Sequence, residues 1–311
     1  MLVQVGLAGL AAVALPTLLV RQHVRALLYF GEDGERTPAP EDLTGPQKLA
    51  VLVRGAVIPK PRNVRTPRDL GFDYSTSVID VPDGHRLEVW TVKGSRGQVL
   101  LFHGYTQPKD QVLDALPWFH ARGYTVHLVD FRASGGSSGH RTTLGAEEAH
   151  DVAAAVRWAA ARGEPNPLVV YGFSMGGAAI LGALADGDLP VDAAIVAGVY
   201  AGLASPLANR FRTRGLPASP GRELLMLWGS VELRRNAWRV APVEDAARVR
   251  APVLVLVGED DPRVGVADGR AIAEALPDGR LVVLEGGGHD PGFLTAPEPF
   301  TLAVEAFLSA R

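Results

Sequence analysis

The chain contains no cysteine among its 311 residues and has no excess of basic side chains. Without cysteine it cannot form disulfides, use a thiolate nucleophile, or bind zinc or an iron–sulfur cluster through sulfur. A formal net charge of −3 gives no positive field for a nucleic-acid backbone, so nucleic acid is not an expected partner. With 47% hydrophobic and 21% charged residues, the composition is that of a folded protein rather than a disordered one.

Charged side chains are also absent from the first segment, which runs from Leu2 to Val20. A helix of this length would span roughly 28 Å, close to the hydrocarbon thickness of a bilayer. Residues 1–30 are therefore predicted to be a hydrophobic segment that anchors the protein in the cytoplasmic membrane through residues 2–20. Arg21 and Arg25 follow the apolar run, and the positive-inside rule then favours the cytoplasmic side for the rest of the chain.

Two alternatives for this segment stay open. It could be an apolar helix that packs on the folded domain. It could also be a cleaved signal peptide, although neither a basic region before the run nor a small-x-small cleavage site after it is evident. Residues 31–70 are rich in proline and charge and are interpreted as a connector to a domain that covers residues 71–311.

From Tyr74 onward, strand-like and helix-like segments alternate. Residues 74–81 and 85–92 flank Pro82-Asp83-Gly84, a turn signal that predicts an antiparallel hairpin. Alternation of strands and helices after that predicts a mostly parallel sheet flanked by helices on both faces. The further predicted strands are 98–104, 124–131, 168–173, 191–199, 251–259 and 280–285, and the predicted helices are 109–122, 144–162, the segment from Ser174, 266–276 and 298–310.

One interval is too long for a simple crossover. About fifty residues separate Val199 from Arg250, far more than one connection between parallel strands needs. This length predicts a small helical insertion at about residues 201–247. Because parallel sheets bind ligands at the carboxyl ends of their strands, the insertion is interpreted as a lid over the site.

A single serine stands at the junction of a predicted strand and a predicted helix, in the stretch LVVYGFSMGG from Leu168 to Gly177. A strand that ends in G-x-S-x-G and opens a helix forces the chain through a tight turn with almost no room for side chains at the flanking glycines. The turn exposes the serine oxygen at a helix N-terminus, where developing negative charge is favoured. Ser174 is therefore the predicted nucleophile.

A serine nucleophile needs a base, and the base needs an acid that orients it. Among eight histidines only His289 lies downstream of Ser174, on a glycine-rich loop after the last predicted strand. The acid is expected after strand 251–259, where Asp261 is favoured and Asp260 is the alternative. Asp290 is interpreted as a loop charge, because its position next to His289 suits it badly to accept from Nδ1.

An oxyanion hole is also required, since negative charge develops on the substrate oxygen. The residue after the nucleophile, Met175, supplies one backbone N–H group. The second is predicted to be that of Tyr105, on the loop after strand 98–104. His103 lies on the same loop and is expected to shape it rather than to act as a second base.

These motifs, in this order, resemble the α/β-hydrolase superfamily over about residues 72–311. The HGYTQPKDQ stretch and the loop from Arg132 to Gly139 resemble the Bem46-like or serine aminopeptidase-like branch. The resemblance implies an α/β-hydrolase fold, no metal or organic cofactor, catalytic roles for the triad and oxyanion roles for the two amides. The matching segments are HGYT (103–106), VDFRASGGSSG (129–139), GFSMGG (172–177), APVLVLVGEDDPRV (251–264) and GGGHD (286–290), and the residues that inherit roles are Ser174, Asp261, His289, Tyr105 and Met175.

The predicted function is that of a serine esterase, which cleaves a small-molecule carboxylic ester through an acyl-enzyme. Residues 201–240 contain seven arginines against Glu223 and Glu232, beside the apolar run 224–228, and this favours an acyl ester, with lipid-like esters among the candidates. A peptidase or amidase on the same scaffold is the alternative, and a non-catalytic binding protein is a further one.

Overall fold

In the computed structural model of the protein, eight strands of the described residues form one sheet in the order β1-β2-β4-β3-β5-β6-β7-β8. The structure describes residues 17–32, 34–38, 43–163, 165–213, 215–290, 292–293 and 297–310. The strands are β1 (Ser75–Asp80), β2 (Arg86–Val92), β3 (Gly97–Phe102), β4 (Tyr124–Val129), β5 (Leu168–Phe173), β6 (Ala193–Ala197), β7 (Val253–Gly258) and β8 (Gly279–Leu284). All neighbours from β4 to β8 pair in parallel, whereas β2 is antiparallel to both β1 and β4.

Helices cover both faces of the sheet. The described helices are α1 (17–28), α2 (Gly45–Arg54), α3 (Leu116–Ala121), α4 (Glu148–Ala160), α5 (Met175–Asp186), α6 (Ala204–Arg212), α7 (Gly221–Leu233), α8 (Pro242–Ala246), α9 (Val266–Ala275) and α10 (Pro297–Leu308). Short 3-10 helices occur at Pro67–Leu70, Lys109–Ala115 and Ala237–Arg239.

The central strands β3 to β7 are buried along their whole length, which explains their continuous apolar sequences. Side chains alternate between the two faces, so that Leu100 and Phe102 join one hydrophobic core while Val99 and Leu101 join the other. The two edge strands, β1 and β8, are mostly exposed or half-buried. The mostly parallel sheet with an antiparallel hairpin at its start, predicted from the sequence, is confirmed.

Two segments differ in detail from the sequence predictions. The helix predicted at 109–122 begins as a 3-10 turn and becomes α-helical only at Leu116, because Pro117 lacks the N–H group that a continuous helix would require. The connector 31–70 contains the helix α2, which was not predicted.

Helices α6, α7 and α8 lie between β6 and β7, in the interval for which an insertion is predicted. The boundaries at residues 30 and 70 stay predictions.

The segment from Leu2 to Val20, predicted to anchor the chain in a membrane, lies outside the described residues except for its last four positions. Within the described part of the chain, no helix is long and apolar enough to cross a bilayer. The prediction of membrane association, and of a side of the membrane for the domain, therefore has no support from the structure.

Helix α1 includes the last four residues of that segment and packs on the folded domain. Val24 and Leu28 are buried in a hydrophobic core of the domain. The two arginines that were interpreted as membrane-flanking charges instead pair with one buried carboxylate of α7. Arg21 Nε lies 2.8 Å from Glu232 Oε1, and Arg25 Nη1 lies 3.0 Å from Glu232 Oε2. For residues 17–28, the structure thus agrees with the alternative of a packed helix.

A buried ion pair joins the start of the 3-10 turn after β3 to the end of β4. The ammonium group of Lys109 contacts the carboxylate of Asp130, and neither side chain has any exposed surface. Asp130 also accepts a hydrogen bond from the backbone N–H of Lys109 (2.7 Å) and one from Nδ2 of Asn63 (2.9 Å). Burial raises the pKa of Asp130, but the charge of Lys109, the nearby His103 and the hydrogen bonds from Lys109 together outweigh it, and the pKa is lowered.

We expect Asp130→Asn to lower the free energy of unfolding by about 3 kcal/mol at pH 7, because the change leaves the Lys109 ammonium buried without its main counter-charge. The folded-state pKa of Asp130 lies below that of the unfolded chain, so its contribution is complete above about pH 4 and is lost as the pH falls further. Urea unfolding between pH 3 and pH 7 measures this difference.

The exposed carboxylate of Asp188 provides the control. Asp188→Asn should change the stability by no more than about 0.5 kcal/mol across the same range. Equal effects of the two substitutions at pH 7 would contradict the assignment of Asp130 as a stabilising buried charge.

Candidate active site

Ser174 lies in a strained turn between β5 and α5. Its backbone has φ 51° and ψ −113°, a positive φ that side-chain-bearing residues rarely adopt. Close backbone packing explains the two flanking glycines. A Cβ added to Gly172 would lie 2.5 Å from the carbonyl carbon of Gly176, and one added to Gly176 would lie 2.6 Å from the carbonyl oxygen of Phe102. The sequence around Ser174 therefore folds into the tight strand-to-helix turn predicted for it.

Asp261 and His289 lie on the loops after β7 and β8, and the structure brings them together. Nδ1 of His289 is 2.6 Å from Oδ2 of Asp261. The other carboxylate oxygen, Oδ1, accepts hydrogen bonds from the backbone N–H groups of Arg263 (2.8 Å) and Val264 (2.9 Å). An ionised carboxylate can only accept, so Nδ1 carries the proton and Nε2 of His289 is left with a free lone pair.

The two other acids considered at sequence level occupy different positions. Asp260 is exposed, whereas the side chain of Asp261 has no exposed surface. Asp290 accepts a hydrogen bond from the backbone of Gly292 at 2.8 Å and caps its own loop. Of the three acids, Asp261 is the one that contacts the imidazole of His289.

His289 also lies close to the turn that holds Ser174. Its ring centroid is 5.0 Å from that of Phe173, the residue before the serine. The backbone N–H of Ser174 donates to the carbonyl of Ala197 at the end of β6, which fixes the turn at the carboxyl edge of the sheet (2.7 Å). Ser174 and His289 both line one cavity at this edge.

The loop after β3 is shaped by side chains that bind its backbone. His103 is fully buried; its Nδ1–H donates to the carbonyl of Gly104 (2.8 Å) and its Nε2 accepts from the N–H of Phe131 (3.0 Å). Burial lowers the pKa of His103, which keeps the ring neutral. Because both ring nitrogens are occupied, His103 cannot act as a base, in agreement with the structural role expected from the sequence.

The two amides predicted to form an oxyanion hole both belong to residues at this cavity. Tyr105 and Met175 line it together with Ser174. Across the ranges the structure describes, neither backbone N–H group has a hydrogen-bond acceptor. Unpaired amides of this kind beside a strained serine are suited to receive a substrate oxygen.

The cavity has a volume of about 540 Å³, within the range of small-molecule sites. Apolar and polar side chains both line it. Three of the five non-glycine residues with positive φ in the described chain line it, namely Thr106, Leu144 and Ser174. Backbone strain thus concentrates at this cavity, as it does at functional sites. No group of three or more His, Cys, Asp or Glu side chains within the described ranges is arranged to hold a metal ion.

Comparison with known proteins identifies the family. Residues 99–301 match the model described as the Alpha/beta hydrolase family. The chain belongs to this family. This match does not confirm the Bem46-like or serine aminopeptidase-like branch.

Relatives of this hydrolase span a range of similarity. The uncharacterised protein MT2364 of Mycobacterium tuberculosis is 27% identical over 312 residues, which cover 98% of this chain and 94% of that protein. The putative carbamate hydrolase RutD of Pseudomonas syringae is 40% identical over 67 residues, 22% of this chain and 26% of that protein. Among solved structures, the esterase Pf2001 of Pyrococcus furiosus is similar at a TM-score of 0.69 and 25% identity, covering 80% of this chain and 96% of the esterase.

The N-terminal region of this hydrolase contributes to the site, which the sequence interpretation missed. Leu27 of α1 and both Arg36 and Ile58 of the connector line the cavity. The hydroxyl of Tyr105 donates to the carbonyl of Leu27 (2.6 Å). Helix α1 is thus bonded directly to the loop after β3 that carries Tyr105, called the oxyanion loop below for the role predicted for it. No motif marks these positions, because their contribution depends only on how the connector packs against the domain.

We expect Gly176→Ala to lower the free energy of unfolding by about 1–3 kcal/mol, since the new methyl group would push the turn away from the backbone of β3. Gly229 of α7 is the matched control. Its added Cβ would lie 3.6 Å from the Cβ of Ala237, an ordinary contact, so Gly229→Ala should be neutral or stabilise the helix by about 0.5–1 kcal/mol. Urea unfolding of both variants measures the contrast; a Gly176→Ala variant as stable as the wild type would show that the turn is not tightly packed.

Proposed function

We propose that this hydrolase is a serine esterase that cleaves a carboxylic ester through an acyl-enzyme. Ser174 is the nucleophile, His289 is the general base and acid, and Asp261 orients and stabilises the imidazole. The observation that carries the proposal is the 2.6 Å contact between Asp261 Oδ2 and His289 Nδ1, on a histidine that lines the same cavity as Ser174.

In the first half of the reaction, Oγ of Ser174 attacks the carbonyl carbon of the ester while Nε2 of His289 takes the hydroxyl proton. The carbonyl oxygen becomes an oxyanion and accepts hydrogen bonds from the backbone N–H groups of Tyr105 and Met175. The bond from the acyl carbon to the alcohol oxygen then breaks, and His289 gives its proton to the leaving alcohol. The acyl group remains on Ser174.

In the second half, water replaces the alcohol. His289 takes a proton from the water as its oxygen attacks the acyl carbon, and the same two amides stabilise the second oxyanion. Collapse of this intermediate breaks the bond to Oγ of Ser174, which recovers its proton from His289. The carboxylic acid leaves, and the enzyme returns to its starting state.

The ester class has support from the similarity to the esterase Pf2001 and from a cavity sized for a small molecule. An amidase or peptidase is the alternative within the same chemistry, and the limited similarity to a putative carbamate hydrolase is a reason to test nitrogen leaving groups. Membership of the Bem46-like or serine aminopeptidase-like branch stays a prediction. Assay of acyl anilides beside the matching acyl esters separates these activities.

Ser174→Ala should abolish labelling by a fluorophosphonate probe and lower kcat for 4-nitrophenyl butyrate by about 10³-fold or more, because no other group can form the acyl-enzyme. Gel fluorescence and a 4-nitrophenolate assay provide the two measurements. The exposed Ser75 of β1 is the control, and Ser75→Ala should retain both activities. Undiminished labelling of Ser174→Ala would refute the nucleophile.

Asp261→Asn should lower kcat for the same ester by about 10³–10⁴-fold, because an amide at this position no longer holds His289 in the tautomer with Nδ1 protonated. Asp260→Asn changes the adjacent, exposed carboxylate and should stay within about twofold of the wild type. Steady-state kinetics of the pair tests the assignment. The opposite order of effects would move the role of the acid to Asp260.

A further inference from the structure

The cavity at Ser174 is lined by charge of one sign. Among the described residues that line it, the Lys, Arg, Asp and Glu side chains are three arginines: Arg36, Arg210 and Arg263. No carboxylate of the described chain lines it, although the whole protein has a formal net charge of −3. The described lining is thus positive in a protein whose overall charge is negative.

Arg36 reaches the cavity from the connector. Its Nη2 donates to Oγ1 of Thr106 at 3.1 Å, and Thr106 follows Tyr105 on the oxyanion loop. A guanidinium has five N–H donors, so this contact occupies a small part of its capacity. The side chain is exposed, which places it at the mouth of the cavity, whereas Ser174 is only 9% exposed.

Arg210 and Arg263 belong to two elements that are bonded together. Nδ2 of Asn209 in α6 donates to the carbonyl of Arg263 at 3.0 Å, and the N–H of Arg263 donates to Oδ1 of Asp261. Both arginines are exposed and line the cavity mouth.

Two of these arginines also lie near the phenol of Tyr105. Burial raises the pKa of the Tyr105 phenol, and the positive charges of Arg210 and Arg36 oppose that rise. Both guanidinium groups are therefore within electrostatic range of the oxyanion loop.

Apolar side chains form another part of the wall. Pro206 and Leu207 of helix α6, and Leu203 just before it, line the cavity together with Arg210. A ligand that fills the site would thus place an apolar body between the buried serine and a cationic mouth. Guanidinium groups bind carboxylate and phosphate oxygens in a bidentate geometry, which a neutral chain end cannot use.

We propose that this hydrolase acts on esters that carry an anionic group, a carboxylate or a phosphate, at the end remote from the scissile bond. Arg36, Arg210 and Arg263 recognise that group at the cavity mouth while the ester carbonyl reaches Ser174. The inference rests on the proposed function, because it assigns the substrate class of the same site.

The test compares two esters with the same leaving group and the same number of acyl carbons. Mono-4-nitrophenyl glutarate ends in a carboxylate, and 4-nitrophenyl pentanoate ends in a methyl group. The readout is the ratio of kcat/KM for the glutarate to kcat/KM for the pentanoate, so general effects on catalysis cancel. The ratio should exceed one in the wild type and decrease as salt is added, because charge pairs at an exposed mouth are screened.

Each of Arg36→Gln, Arg210→Gln and Arg263→Gln should lower this ratio about twofold to fivefold, and the Arg210→Gln/Arg263→Gln double variant about tenfold. Arg239 is the matched control, because it lies on the same insertion but lines a different cavity. Arg239→Gln should leave the ratio unchanged. A wild-type ratio of one or less, or a ratio that Arg239→Gln lowers as much as the cavity variants do, would overturn the proposal.

Binding to the full-length Ser174→Ala variant separates this inference from the proposed function. Calorimetry should show tighter binding of the glutarate monoester than of the pentanoate ester, and this preference should fall about tenfold when Arg210→Gln and Arg263→Gln are added to Ser174→Ala. If the wild type hydrolyses neither ester and takes no fluorophosphonate label, the esterase proposal fails. The binding preference then still tests whether the arginines at the cavity mouth recognise an anionic group. Equal binding of the two esters would refute it.

Discussion

The contact between Asp261 and His289 is the interaction on which the site depends. One carboxylate oxygen is fixed by two backbone amides of its own loop, and the other holds the imidazole. Because an ionised carboxylate can only accept, it determines which ring nitrogen carries the proton and leaves Nε2 with a free lone pair. A second bond joins the two loops, since the N–H of Asp260 donates to the carbonyl of Gly287 (2.9 Å). The histidine is thus held by backbone as well as by charge.

The parallel sheet explains how residues more than a hundred positions apart meet. Each chemically important loop follows the carboxyl end of a strand, so β3, β5, β7 and β8 deliver the oxyanion loop, Ser174, Asp261 and His289 to one edge. Full burial of β3, β5 and β7 on both faces makes this a stiff support. The strained backbone at Ser174 is tolerated because the surrounding packing leaves no easier conformation.

Local sequence signals predicted the sheet and its flanking helices, since strand runs, turn residues and the G-x-S-x-G junction act over short distances. The sequence also favoured Asp261 over Asp260 as the acid, because the position of a residue in the loop after a strand constrains whether its carboxylate turns inward. The roles of the N-terminal region could not be predicted in the same way. Leu27, Arg36 and Ile58 line the cavity only through tertiary packing. Arg21 and Arg25 have the sequence position of membrane-flanking charges, yet in the fold they pair with Glu232. The composition of such a segment indicates how hydrophobic it is, but its position in the fold depends on the residues that pack against it.

In the proposed reaction, the acyl group of the ester is carried for a time on the oxygen of Ser174. Acid quenching of the protein during turnover of 4-nitrophenyl butyrate, followed by proteolysis and mass spectrometry, tests it directly. We predict a butyryl group on the peptide that contains Ser174 and on no other peptide. With His289 intact, the amount of this acylated peptide should decline once the substrate is exhausted. Turnover accompanied by an acyl group on another residue, or by none when deacylation is slowed at low pH, would contradict it.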